Sequence, residues 1–169
     1  MDIVTLIVIG VLSRLAPHLP NVTVVGGLAI FSGSRYSKTK ALGITVAAMV
    51  ITDAILGFHS VMLATYGSLA CSVLLANYFL KKRSSGRIIS VTLISSIIFY
   101  LVTNFAVWAI TGSMYPKTFA GLMDSYIMAL PFFRNSLIGD FIYTSVFFGG
   151  LEVIGNIFKE KVYGWVRME

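Results

Sequence analysis

The sequence predicts an all-α fold: a polytopic membrane helix bundle of six transmembrane helices, forming a single integral membrane domain over residues 1–169. Three observations carry that expectation. Hydrophobic residues make up 57% of the chain and charged residues 12%, about half the charge of a typical soluble domain. That is more apolar surface than one small water-soluble core can hide, so the excess must face lipid. Apolar runs alternate with short polar breaks along the whole length, and the basic residues gather in alternate breaks.

The first run, residues 3–16, ends at Pro17-His18-Leu19-Pro20-Asn21, which cannot continue a regular helix. It is preceded by Asp2 rather than a basic stretch and followed by no A-x-A site, so it is expected to be retained as a first helix rather than cleaved as a signal peptide. The second run, 22–31, is short and glycine-rich and leads into Ser32-Gly33-Ser34-Arg35. Each of these runs is short for a bilayer. Together they read as two short or tilted helices joined by a Pro-rich bend, or as one span with a re-entrant segment. The third run, 41–58, is interrupted by Asp53; the fourth, 60–80, is closed by Lys81-Lys82-Arg83; the fifth, 88–110, has Asn104 near its far end. The mixed stretch 111–131, with Gly112, Pro116 and several aromatics, reads as a loop carrying an interfacial helix. The sixth span is expected over 135–158.

Charge sets the expected orientation. With six spans and the N-terminus inside, the inner loops hold Arg35, Lys38, Lys40, Lys81, Lys82, Arg83 and Arg87, and the inner tail holds Lys159, Lys161 and Arg167. That is ten of the thirteen basic residues, leaving Arg14, Lys117 and Arg134 outside. This is the positive-inside pattern, and it implies a multi-pass protein of the inner (cytoplasmic) membrane with both termini cytoplasmic. A five-span arrangement with residues 3–31 as one crossing keeps the basic loops inside as well; the Pro17/Pro20 break favours six. The net charge of +6 belongs to these loops, so the lipid bilayer, and no nucleic acid, is the expected partner.

The polar residues within the spans cluster. On this topology Arg14, His18, Asn21, Asp53, His59, Asn104, Arg134, Asn135 and Asp140 all fall in or near the outer half. Ionisable groups at membrane depth face a partner or a watery cavity. Together with Phe58, Trp108, Tyr115, Tyr126, Phe132 and Phe133 they suggest an outward-opening small-molecule pocket. The candidates for its lining are His18, Asn21, Asp53, His59, Asn104, Trp108, Tyr115 and Arg134. Each has a plainer reading. Asp53 pairs with Arg14 or Arg134 to hold helices together; Arg14 snorkels; the aromatics form an interfacial belt; and Cys71, the single cysteine, packs as a small residue. His18 and His59 lack a local ligand spacing, so no metal and no cofactor is expected. H-E-x-x-H, G-x-S-x-G and Walker signatures are absent, and no enzymatic activity is expected.

The strings RLAPHLPNVTVVGGLAIFSG (14–33), TDAILGFHSVMLATYGSLA (52–70) and TNFAVWAITGSMYPKTFAGLMDSYIMALPFFRNSLIGDFIYT (103–144) resemble an uncharacterised family of small prokaryotic membrane proteins, a resemblance that brings no activity with it. More remotely, the layout is similar to the substrate-binding S components of energy-coupling factor (ECF) transporters. That similarity implies six helices, cytoplasmic termini, and an extracytoplasmic pocket lined by the loops after the first, third and fifth helices, here 16–22, 54–60 and 111–133. It also implies a small polar or vitamin-like substrate and a separate ECF transmembrane/ATPase module as partner. One departure is that Gly10 is followed four residues later by Arg14, where S components commonly carry a small-xxx-small docking pattern. Two other roles fit the sequence: a membrane-embedded enzyme using Asp53, His59 and Asp140 on a lipid-like substrate, and a structural or assembly membrane protein.

Overall fold

The computed structural model describes residues 2–17 and 19–166, with side chains as far as Gly150. Among the described residues there are six helices and no strand: α1 (Ile3–Leu15), α2 (Val25–Arg35), α3 (Lys38–Leu56), α4 (Met62–Phe79), α5 (Ser85–Ala109) and α6 (Phe119–Val166).

Residue pairings give the directions. Gly10 meets Ala48, and Arg14 meets Asp53, so α1 and α3 run parallel. Gly26 and Gly27 lie against Asp140 and Thr144, and Phe31 stacks on Phe147 at 5.1 Å, so α2 and α6 run parallel. Ser96 pairs with Asp140 while Tyr100 pairs with Tyr126, so α5 and α6 are antiparallel. The odd-numbered helices therefore rise to one end of the bundle, formed by loops 16–24, 57–61 and 110–118. The even-numbered ones descend to the other, formed by loops 36–37 and 80–84.

The distribution of polarity is inside-out. Leu93, Ile97, Leu101 and Phe105 of α5 are exposed, as are Val46, Val50 and Ile55 of α3, whereas Ser68, Ser72, Thr92, Ser95, Ser96, Asp53 and Asp140 are buried. In water this would leave much apolar surface uncovered; in a bilayer it is the arrangement that keeps hydrocarbon on hydrocarbon. Three helices among the described residues, α3, α4 and α5, are long and apolar enough to cross a membrane. The buried hydroxyls need few external partners because most bond back to a carbonyl one turn earlier: Thr45 to Ala41, Ser68 to Ala64, Thr92 to Ile88, Ser96 to Thr92.

The helix α2 has 11 residues, about 17 Å at 1.5 Å per residue, roughly half the hydrocarbon thickness. It is stable in that length because it is the hub. Residues 27–33 are all buried, and each of the three apolar clusters of the core contains α2 residues or the adjoining Val24. Its glycines set the close approaches. A Cβ at Gly33 would run into the Val73 carbonyl of α4, and one at Gly27 would come within 2.9 Å of the Thr144 nitrogen, which is small-residue packing of the kind that joins helices where lipid gives no hydrophobic drive. Its last carbonyls are satisfied from outside the helix. Asn77 donates to Gly33 and Tyr36 at 3.0 and 3.2 Å, and Arg83 donates to Ser34 at 3.0 Å.

The sixth helix differs from expectation. It begins at Phe119 and carries Pro131 inside it, so the helix expected within loop 111–131 is continuous with the sixth span, and no separate span starts at 135. Proline removes one ladder hydrogen bond, but the segment before it is held by α5. The Tyr100 hydroxyl donates to the Tyr126 carbonyl at 2.7 Å, Tyr126 returns a bond to Leu101 at 3.1 Å, and the Tyr100 and Phe133 rings lie 4.6 Å apart. The tail basic residues Lys159, Lys161 and Arg167 lie outside the described side chains.

Candidate functional site

Two adjoining chambers open between α2, α4, α5 and α6. The inner one, about 220 Å³, is lined by Arg14, Met49, Ser72, Ser95, Phe99 and Asp140 among others. The outer one, 330 Å³, shares Asn21, Thr65, Phe99 and Ser136 with it and adds Tyr100, Asn104 and Phe133. The shared residues put the two chambers in series, a candidate path from the end carrying loops 16–24, 57–61 and 110–118 toward mid-bundle.

The turn that aims Asn21 into this path follows from its sequence. Val22 N donates to the Leu19 carbonyl at 2.9 Å, closing a turn with Pro20 at its second position and Asn21 at its third. Proline fixes the first central φ, and the third position requires positive φ, which asparagine tolerates; Asn21 has φ 62°. Asn135 of α6 donates to the Pro20 carbonyl at 3.2 Å and ties the turn to the mouth.

On one wall, Arg14 Nη1 lies 2.8 Å from Asp53 Oδ1, 2.6 Å from Thr52 Oγ1 and 3.1 Å from Met49 Sδ. Asp53 is 1% exposed, and its second oxygen accepts from the Tyr66 hydroxyl at 2.7 Å. Both carboxylate oxygens are thus engaged by α1 and α4, so Asp53 braces Arg14 from behind and does not itself line the chambers.

Also lining the inner chamber, Asp140 is 9% exposed and accepts from Ser96 Oγ at 2.6 Å. No cationic side chain pairs with it among the described residues. Its carboxyl lies where a side chain at Gly26 would project, so only glycine at 26 leaves room for it. Two buried side-chain atoms among the described residues have no hydrogen-bond partner, Ser95 Oγ and Thr144 Oγ1. Ser95 adjoins the Asp140 partner Ser96 and lines the inner chamber, and Thr144 lies one turn beyond Asp140 on α6. Orphaned buried hydroxyls are uncommon and call for a bound group or water.

The sequence-predicted lining separates into groups. Asn21 lines both chambers and Asn104 the outer one, where the Asn104 amide also donates to Tyr100 O at 2.8 Å. His59 is exposed in the α3–α4 turn, its carbonyl accepting from Met62 N at 3.1 Å. Trp108 donates to Pro116 O at 2.9 Å. Lys117 sits over the Trp108 ring and donates to the carbonyls of Trp108 and Ile110, capping the C-terminus of α5. Tyr115 N bonds Ser113 Oγ at 3.2 Å in the same loop. Arg134 is exposed on α6 rather than buried within reach of Asp53. His18 lies outside the described residues. Of Asp53, His59 and Asp140, Asp140 alone lines either chamber. Among the described residues no three His, Cys, Asp or Glu side chains are placed to hold a metal.

No curated protein and no solved structure matches the chain. The profile of one protein family matches residues 1–162, and on that match the chain belongs to DUF6580, a family of unknown function.

Proposed function

We propose that this protein is a solute-uptake component of the cytoplasmic membrane that binds a small polar molecule from outside the cell, in the manner of an ECF transporter S component. The observation that carries the reading is the path into the bundle. It starts at the end opposite the basic loops and ends at a buried carboxyl and an unpartnered hydroxyl, Asp140 and Ser95. The loops at the opposite end contain Lys81, Lys82 and Arg83, and Arg35, Lys38 and Lys40 flank them. The positive-inside bias puts that end in the cytoplasm, so the chambers face outward and both termini are cytoplasmic. A cavity with apolar walls and a few convergent polar groups is the usual form of a small-molecule site. The sequence contains no ATP-binding loop, so an energising ATPase module, where one is used, is a separate complex.

Mass spectrometry of small molecules that co-purify with the detergent-solubilised protein tests the reading. It predicts a molecule retained by the native chain and held more weakly by Asn104→Ala, whose side chain lines the outer chamber on the way in. A turned-over lipid-like compound would favour an enzyme instead. A stable protein partner with no small ligand would favour an assembly role.

A further inference from the structure

Charge balance in the inner chamber points to the class of solute. Of its lining residues, Arg14 and Asp140 are ionisable in the range that matters. The Arg14 charge is matched by Asp53 at 2.8 Å. Asp140 has a hydroxyl partner, Ser96, and no cationic one among the described residues. The first turn of α2, beside Gly26, offsets roughly half a charge, which leaves the balance negative. A carboxyl in a desolvated site ionises only at a cost, and a ligand that supplies the missing cation relieves that cost and holds the carboxylate form.

The polar side chains that line the chamber with Asp140 suit an N–H donor. Ser95 is 3% exposed, its Oγ has no partner, and it lines the same chamber as Ser72 and Asp140. An ammonium group has three hydrogens to share among a carboxylate and two hydroxyls. Size separates an organic cation from a bare ion. A water occupies about 30 Å³ of liquid, whereas the chamber holds about 220 Å³. Ile30, Met49, Leu69 and Phe99 give it an apolar and aromatic portion beside the polar Asn21, Thr23, Thr65 and Ser136, room for the carbon frame of an amine.

We infer that the inner chamber, lined by Asp140 and Ser95 together with Phe99 and Leu69, takes a small organic amine in its protonated form. This rests on the solute-binding reading above and names the substrate class.

The test is thermal unfolding of the full-length protein in detergent with three probes of similar shape: phenylethylammonium, phenylacetamide and phenylacetate, at equal concentration and ionic strength. The expected result is a rise of a few degrees with the ammonium probe alone, about what a ligand well above its Kd gives a chain of this size. Asp140→Asn should remove the response, and Ser95→Ala, a milder change, should weaken the probe's apparent affinity about five- to tenfold. A larger or equal shift with the amide or the carboxylate, or a full response retained by both variants, overturns the amine assignment while leaving solute binding standing. No shift with any probe, together with no co-purifying small molecule, overturns both.

Discussion

Arg14 on α1 and Asp53 on α3 form a 2.8 Å ion pair toward the end of the bundle formed by loops 16–24, 57–61 and 110–118, with Asp53 further held by Tyr66 of α4 at 2.7 Å. The pair fixes a short first helix that has little else to hold it at that end. The two partners are not equally wet: Asp53 is 1% and Arg14 18% exposed. Breaking a buried pair costs about 3–5 kcal/mol, chiefly for the charge left behind. Arg14→Met, which strands the carboxylate, is therefore expected to lower stability in detergent more than Asp53→Asn, which strands the better-solvated guanidinium. The double substitution should be less damaging than the sum. A double-mutant cycle by thermal or denaturant unfolding reads this directly, and strict additivity would mean the pair contributes no coupling.

Gly26 and Asp140 make a second test. A methyl at 26 would coincide with the Asp140 carboxyl, so Gly26→Ala must push Asp140 off its place beside Ser96. The expectation is a loss of about 1–3 kcal/mol, the range for overpacking a filled interior, accompanied by loss of ligand retention. Gly67→Ala is the control. Nothing lies within 4 Å of the added carbon, so it should be neutral or slightly stabilising through helix propensity. Equal effects at both positions would contradict the packing account.

Much of this architecture was legible in the sequence. Pro17, Pro20 and the Lys81-Lys82-Arg83 run marked helix ends because proline and clustered charge cannot continue an apolar helix. Asp53 was recognisable as a paired charge, with Arg14 or Arg134 as its partner, because charges at that depth rarely stand alone; the structure selects Arg14. The start of α6 was not legible. Pro131 reads as a break, and only the Tyr100 and Tyr126 bonds from α5 show why the helix passes through it. Ser72 and Ser95 were invisible for a different reason. Hydroxyls in apolar helices ordinarily bond to their own backbone, so nothing in the chain distinguishes the orphaned Ser95 from the satisfied Ser96. The placement of Arg134 could have been foreseen. It precedes Asp140 by six residues, about 120° around a helix, whereas Ser136, Asp140 and Thr144 recur every four and share a face.

That difference separates two residues once grouped together. Asn104 lines the outer chamber and Arg134 is exposed. Asn104→Ala is expected to weaken ligand retention, by about five- to a hundredfold for a lost polar anchor of 1–3 kcal/mol. Arg134→Gln is expected to leave it within a factor of about two, since surface changes typically stay within 0.5 kcal/mol. Quantifying the co-purified ligand across the two variants decides it, and the reverse order would move the site to the outer surface of α6.

Orientation can be read with cysteines introduced into a Cys71→Ser background. Ser84 lies in the basic loop between α4 and α5, and Met114 in the loop between α5 and α6. In intact cells an impermeant maleimide should label Met114→Cys and miss Ser84→Cys until the membrane is opened. Labelling of Ser84→Cys in sealed cells would invert the bundle and turn the chambers toward the cytoplasm.

The central claim is that water and small solutes reach the interior of the bundle from outside. Ser95→Cys in the same background tests it most directly, because Ser95 is 3% exposed and lines the inner chamber. A small, positively charged methanethiosulfonate reagent added to intact cells should modify it, faster than the negatively charged analogue, and an excess of the phenylethylammonium probe should slow the reaction. Protection of Ser95→Cys from outside, with ready modification from the cytoplasmic face of inverted vesicles, would contradict the account.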